Sequence, residues 1–187
     1  MATSLLFWRR TDLDGLERLE LAIGDSGVGV NSTVICLEAG GFRLDHRWQL
    51  DSEWRTLVVT VERWNSQDHG VLHLERVGTG WHVNGKLRPD LNEAAEPDLS
   101  VTPFCNTLPI RRTPQTVGES LTLDTAFIDG PALTVARSRQ RYVRQGARNM
   151  RYVDLGLSSG FEADLLVDAE GLVLSYEHLF QRVSPPP

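Results

Sequence analysis

Apolar and polar residues alternate one for one through most of this chain, and that period suits strands and little else. Phe42, Leu44, His46, Trp48 and Leu50 fall on one side of a segment whose other side is Arg43, Asp45, Arg47 and Gln49. Leu57, Val59 and Val61 repeat the pattern against Val58, Thr60 and Glu62, and Leu121, Leu123, Thr125 and Phe127 share a face again. Turn-forming clusters punctuate these runs at Gly24-Asp25-Ser26-Gly27, Ala39-Gly40-Gly41, Gly78-Thr79-Gly80 and Asp129-Gly130-Pro131. Strands are predicted at 18–23, 28–37, 42–50, 57–64, 71–77, 81–87, 121–127, 133–142, 148–155, 161–168 and 172–176, with a final turn or short strand over 178–183. About ten short strands with turns every 8 to 12 residues or so describe a sandwich, roll or barrel. Hairpin connections make the pairing mostly antiparallel. The expected fold is mainly β: a rolled, largely antiparallel sheet or half-barrel in two β-rich halves.

The stretch 98–112, DLSVTPFCNTLPIRR, separates those halves and cannot be an ordinary strand. Thr102 can cap a helix and Pro103 suits its first position, where a missing N–H costs nothing. Pro109 lacks the donor for a longer helix and pushes Leu108 towards extended geometry. A short helix near 102–108 is therefore predicted, followed by extended Ile110, Arg111 and Arg112. Two readings stand for the polar groups here. Thr102, Asn106 and Thr107 satisfy a buried connector's backbone, with the arginines in ion pairs. Alternatively, the paired guanidiniums hold an anionic or sugar head group.

At 187 residues the chain is expected to be one domain over 1–183 with a disordered tail at 184–187. Its net charge of −6 argues against a nucleic-acid partner, which would want a basic stripe. The opening MATSLLFWRR places its charges after a short apolar run, unlike a signal peptide, and no run approaches a membrane span. With two cysteines, Cys36 and Cys105, the expectation is a cytoplasmic protein without stable membrane insertion. Its oligomeric state is not readable.

Motifs of catalysis are present by letter only. Gly156-Leu157-Ser158-Ser159-Gly160 matches a nucleophile elbow, but the residues that follow alternate as a strand where the elbow needs a helix. His69 and His73 lie about 13 Å apart on a strand, too far for one ion, and Asp164 and Asp168 are equally separated. Cys105 has no evident base beside it. Arg137, Arg139 and Arg141 share a strand face, with Gln140 and Tyr142 on the other, and read either as a solvated edge or as a complement to an anionic ligand or partner. No catalytic set, metal or cofactor is expected.

Large aromatics are concentrated on the strands: Trp48, Trp54, Trp64 and Trp81, then Tyr142 and Tyr152. They either fill a core or line the open interior of a rolled sheet that holds an apolar ligand.

Several segments together resemble the bacterial putative glycolipid-binding protein family. They are Gly80-Trp81-His82-Val83-Asn84-Gly85, Pro89-Asp90-Leu91, Thr102-Pro103-Phe104, Asn106-Thr107-Leu108-Pro109-Ile110-Arg111-Arg112, Gln140-Arg141-Tyr142, Arg151-Tyr152 and Leu179-Phe180-Gln181-Arg182. The resemblance spans roughly 8–183, with departures at Cys105, where threonine is expected, and Thr113, where leucine is. It implies a rolled antiparallel β structure similar in shape to periplasmic lipoprotein carriers. The resulting expectation is a binding protein for an amphipathic ligand, a glycolipid or lipid. Trp48, Trp64, Trp81 and Tyr142 would line its cavity, Arg111 and Arg112 would hold the head group, and Asn106 would hydrogen bond to it. The rival readings are an enzyme using the same cavity, with Asp45, His46, Glu62 or Asp98 as its titratable group, and a scaffold with a filled core.

Overall fold

The computed structural model describes residues 2–184. The first half contributes β1 (Ala2–Arg10), β2 (Gly15–Gly24), β3 (Gly27–Cys36), β4 (Phe42–Leu50), β5 (Thr56–Trp64), β6 (His69–Val77), β7 (Gly80–Val83) and β8 (Lys86–Leu87). The second contributes β9 (Glu96–Leu99), β10 (Ser120–Asp129), β11 (Thr134–Arg144), β12 (Asn149–Asp154), β13 (Glu162–Val167), β14 (Val173–Tyr176) and β15 (Phe180–Val183). One short helix, α1 (Thr107–Arg112), lies between β9 and β10.

All fifteen strands form one sheet, in the order β8-β7-β6-β5-β4-β3-β2-β1-β15-β14-β13-β12-β11-β10-β9. Each half is a meander, and the two join where the first and last strands pair, with Phe7 opposite Val183 and Arg10 opposite Phe180. Every pairing is antiparallel except that of β9 with β10. The sheet rolls without closing into a barrel. Glu96 on the edge strand β9 accepts a hydrogen bond from the Thr56 N–H at the start of β5 (3.0 Å), which ties distant parts of the sheet together.

The alternation sorts side chains as expected along β4, where Phe42, Leu44, His46, Trp48 and Leu50 are buried and Arg43, Arg47 and Gln49 are exposed. Asp45, on the outward side, is nevertheless buried, held by Arg43 and the Thr33 hydroxyl. Gly27 makes the β2–β3 turn at φ 140°, where a Cβ would meet the Leu50 carbonyl oxygen at 2.2 Å.

The interior of the roll is filled by the chain itself. All ten residues of 101–110 are buried, packed as a plug between the halves. Phe104 meets Trp48 edge-on at 5.7 Å, Thr102 donates to Glu17 on β2, and Asn106 donates to Tyr142 on β11. Trp8, Trp48 and Trp81 are fully buried, Trp48 directly against it.

Three expectations are corrected. The described residues form fifteen strands, not about ten. β1 was missed because its apolar residues run consecutively; it is a strand because it has partners on both sides. β9 was missed because Glu96, Pro97 and Asp98 carry no alternation; an edge strand tolerates the proline. The predicted strand 81–87 is two, broken at Asn84-Gly85, which both have positive φ. The helix is also displaced. Residues 104–106 form a 3-10 turn, with the Phe104 N–H bonded to the Thr102 hydroxyl as the cap reading expects. α1 then starts afresh at Thr107, so Pro109 falls in its first turn, where the missing N–H is harmless. Arg111 and Arg112 are helical, not extended. The tail expected at 184–187 lies, apart from Ser184, outside the described residues.

Candidate functional site

The second half of the sheet and the plug enclose a cavity of about 270 Å³. Its walls are aromatic: Tyr152 on β12, Tyr176 on β14, Phe180 on β15 and Phe161 just before β13. Tyr152 lies 5.8 Å from Tyr176 and 6.0 Å from Phe161, ring centre to ring centre. The strand period produces this wall. Met150, Tyr152 and Asp154 take the inward positions of β12, and Tyr152 is directly opposite inward-facing Tyr142 on β11.

The polar lining comes from Asp98 on β9, from Thr102 and Asn106 of the plug, and from Asp154 and Ser158. Asp98 Oδ1 accepts from the Cys105 thiol at 2.9 Å, and its Oδ2 accepts from the Gln140 amide. The Tyr142 hydroxyl donates to Gln140 Oε1 at 3.2 Å and accepts from Asn106 Nδ2 at 2.8 Å. Asp154 anchors the following loop, accepting from the N–H groups of Gly156 (2.7 Å) and Ser158 (3.1 Å) and from the Tyr152 hydroxyl (3.1 Å). Gly156 is needed there, since a Cβ would lie 2.5 Å from both the Arg139 nitrogen and Ser138 Oγ. The loop returns directly to strand β13, so the elbow-like letters form a turn.

Burial raises the Asp98 carboxyl above its ordinary value of 3.8, and the Asp154 charge adds to this, while the bonds from Cys105 and Gln140 oppose it. Burial first, and then the Asp98 charge, push the Cys105 thiol well up, which suits a donor better than a nucleophile. Tyr142, Tyr152 and Tyr176 are raised for the same two reasons in the same order.

A second buried cluster lies behind Thr102. Glu17 Oε1 accepts from Ser32 Oγ (2.7 Å), Thr102 Oγ1 (2.9 Å) and His46 Nε2 (2.9 Å), whereas its Oε2 has no partner.

The expected ligand residues are dispersed. Asn106 lines the cavity and Tyr142 stands behind it. Trp48 is enclosed in the core beside Phe104 and His46. Trp81 is fully buried, giving its indole N–H to the Ala94 carbonyl (2.9 Å) under the Arg76 guanidinium. Trp64 is half-buried, stacked on His69 at 4.9 Å with Arg43 across its ring. Arg112 is ion-paired to Glu96, which is only 1% exposed. Arg111 lies over Trp54 at 4.1 Å and donates to the Glu170 carbonyl (2.6 Å), beside a separate polar recess of about 260 Å³. Sequence reasoning named Tyr152 among the aromatics of an open interior and Asp98 as a titratable candidate of the cavity, but gave no such role to Asp154, Tyr176, Phe161 or Phe180. Their signal is faint: single aromatics on short strands, which only the sheet order brings together.

Among the described residues no group of three His, Cys, Asp or Glu side chains could hold a metal ion. Among the described residues no helix is long and apolar enough to cross a membrane. No curated protein matches the chain. A crystal structure of a DUF1089 family protein from Pseudomonas aeruginosa is similar, with a TM-score of 0.79, 31% identity, and coverage of 89% of this chain and 92% of that one. The family described as "Putative glycolipid-binding" matches residues 5–182, which takes in both halves of the sheet, the plug and the cavity, and the chain belongs to it.

Proposed function

We propose that this protein binds an amphipathic ligand, a glycolipid or lipid, whose head group enters the aromatic-walled cavity. The observation that carries the reading is the cavity itself, with apolar rings on its sides and hydrogen-bonding groups at its base. Aromatic faces stack on the apolar faces of a sugar ring, and placed polar groups fix its orientation. About 270 Å³ is small beside the roughly 300–1,000 Å³ of drug-sized pockets, so it accommodates a single head group. The tail would leave past the loop after β12, where Leu155 (41%) and Leu157 (56%) are exposed. In this reading Asn106 contacts the head group and Tyr142 orients it. Trp48 and Trp81 stiffen the core, while Arg112 serves Glu96. The family's description as glycolipid-binding supports the same reading.

The test is native mass spectrometry after incubation with a lipid extract, with Tyr152→Ala as the control. A lipid or glycolipid adduct on the native chain that is lost in the variant is expected. A bare mass under every lipid condition would overturn the reading.

A further inference from the structure

We infer that the cavity selects a head group carrying an ammonium, as on an amino sugar, and rejects phosphate, sulfate and carboxylate heads. This rests on the sugar-binding reading above and adds the charge of the ligand to it.

The first observation is the balance of charge. Two carboxylates, Asp98 and Asp154, line the cavity, and none of the lining side chains is Lys, Arg or His. Two other carboxylates have cations beside them, whereas Glu17, buried behind Thr102, is held by neutral donors. Glu96 meets Arg112 and Arg76, and Asp168 meets Arg182. Asp98 instead has two neutral donors, the Cys105 thiol and the Gln140 amide. A carboxylate held away from water without a countercharge is costly, and a ligand cation removes that cost.

The second observation is independent of charge. Tyr176 is 7% exposed and lines the cavity, and its hydroxyl has no hydrogen-bond partner among the described residues. A hydroxyl on a largely buried side chain that lines a cavity and has no protein partner marks a place where a ligand atom fits.

The third is the wall. Tyr152, Phe161, Tyr176 and Phe180 present ring faces and edges around the space, and ring faces attract cations. An ammonium here would donate to Asp98 and lie against these rings, while the sugar hydroxyls would reach Asn106 and Tyr176. A phosphate would face two carboxylates with no cation to offset them. The raised Asp98 pKa agrees, because a carboxylate without a cation is the form that burial disfavours.

The experiment is isothermal titration of the purified protein with glucosamine, glucose and glucose 6-phosphate near neutral pH, repeated with Asp98→Asn. Glucosamine is expected to bind about tenfold tighter than glucose, the size of one charge-assisted hydrogen bond. Glucose 6-phosphate should bind more weakly than glucose. In Asp98→Asn the tenfold preference should vanish, so that the ratio of glucosamine to glucose affinity falls to about one whatever the absolute affinities. If that variant does not fold, Tyr176→Phe replaces it, with weaker binding of both uncharged and charged sugars expected. Equal binding of glucosamine and glucose by the native protein would overturn the ammonium inference and leave the sugar site standing. Binding of glucose 6-phosphate alone would overturn it too. Binding of none of the three would overturn both readings.

Discussion

Trp48 donates its indole N–H to Nδ1 of His46 at 2.8 Å, and this contact determines which imidazole nitrogen carries the hydrogen. Indole only donates, so Nδ1 must accept and Nε2 must be the N–H that Glu17 receives at 2.9 Å. The relay runs from β4 to β2, and through Thr102 it reaches the plug. Trp48→Phe removes the donor and part of the ring. It should lower stability by about 2–4 kcal/mol in urea denaturation. A loss below the error of the measurement would show that the relay does not hold the plug. Long-range nitrogen NMR on the native protein should show the Nε2–H tautomer of His46.

The two arginines of α1 should behave differently. Arg112 faces Glu96, a carboxylate only 1% exposed, whereas Arg111 lies over Trp54 at the surface. Removing Arg112 leaves Glu96 with Arg76 at 3.4 Å and the Thr56 N–H. Because the Arg112 side chain is itself 31% exposed, its loss should cost about 1–3 kcal/mol, less than for a wholly buried pair. Arg111→Ala should cost below about 1 kcal/mol, the scale of an exposed cation–π contact. Denaturation midpoints of the two alanine variants, compared side by side, check the ordering.

Asp98 should make stability fall as pH rises from its ordinary value of 3.8 through its raised native value. Its native carboxyl keeps its proton to higher pH than the unfolded one, whose pKa stays near 3.8. Between those two values the native state binds more protons, so raising the pH favours unfolding there. The stabilisation is complete below the unfolded value and is lost as pH passes the raised native value. Melting temperatures of native protein and Asp98→Asn across that range should therefore diverge in favour of the variant as pH increases. Parallel curves would show that Asp98 is not perturbed by its surroundings.

Neither cysteine should react with a thiol reagent while the protein is folded. Cys36 and Cys105 are buried, and burial raises both thiols, Cys105 well above its ordinary 9.0. Both should be modified after unfolding in urea. Rapid labelling of one thiol under native conditions would locate a segment that opens.

Gly27→Ala should destabilise by about 1–3 kcal/mol, since a side chain at φ 140° is strained and its Cβ meets the Leu50 carbonyl. Gly156→Ala should both destabilise the protein and weaken ligand binding, because the loop it would displace carries Ser158 and leaves from Asp154. Stability and binding measured on the same preparation separate the two sites.

Local chemistry alone determined most of the strands, their faces and the separation of two β-rich halves. A strand's period is written in neighbouring residues, as along β4, and no distant partner is needed to read it. The importance of 98–112 was legible for the same reason, because prolines and small polar side chains forbid a strand over most of it, although Asp98 and Leu99 end β9. Only the tertiary structure decided what that segment does. It fills the interior between the halves, Trp48 and Trp81 are core while Trp64 is half-buried, and the cavity lies in the second half. The cavity is assembled from β9, β12, β14, β15 and the plug, whose proximity depends on β15 joining β1 and on β9 lying parallel to β10. Neither pairing has a local signature. The same holds for charge: a basic pair beside the plug is visible in the letters, but the pairing of Arg112 with buried Glu96, and the neutral donors beside Asp98, arise only when distant strands meet.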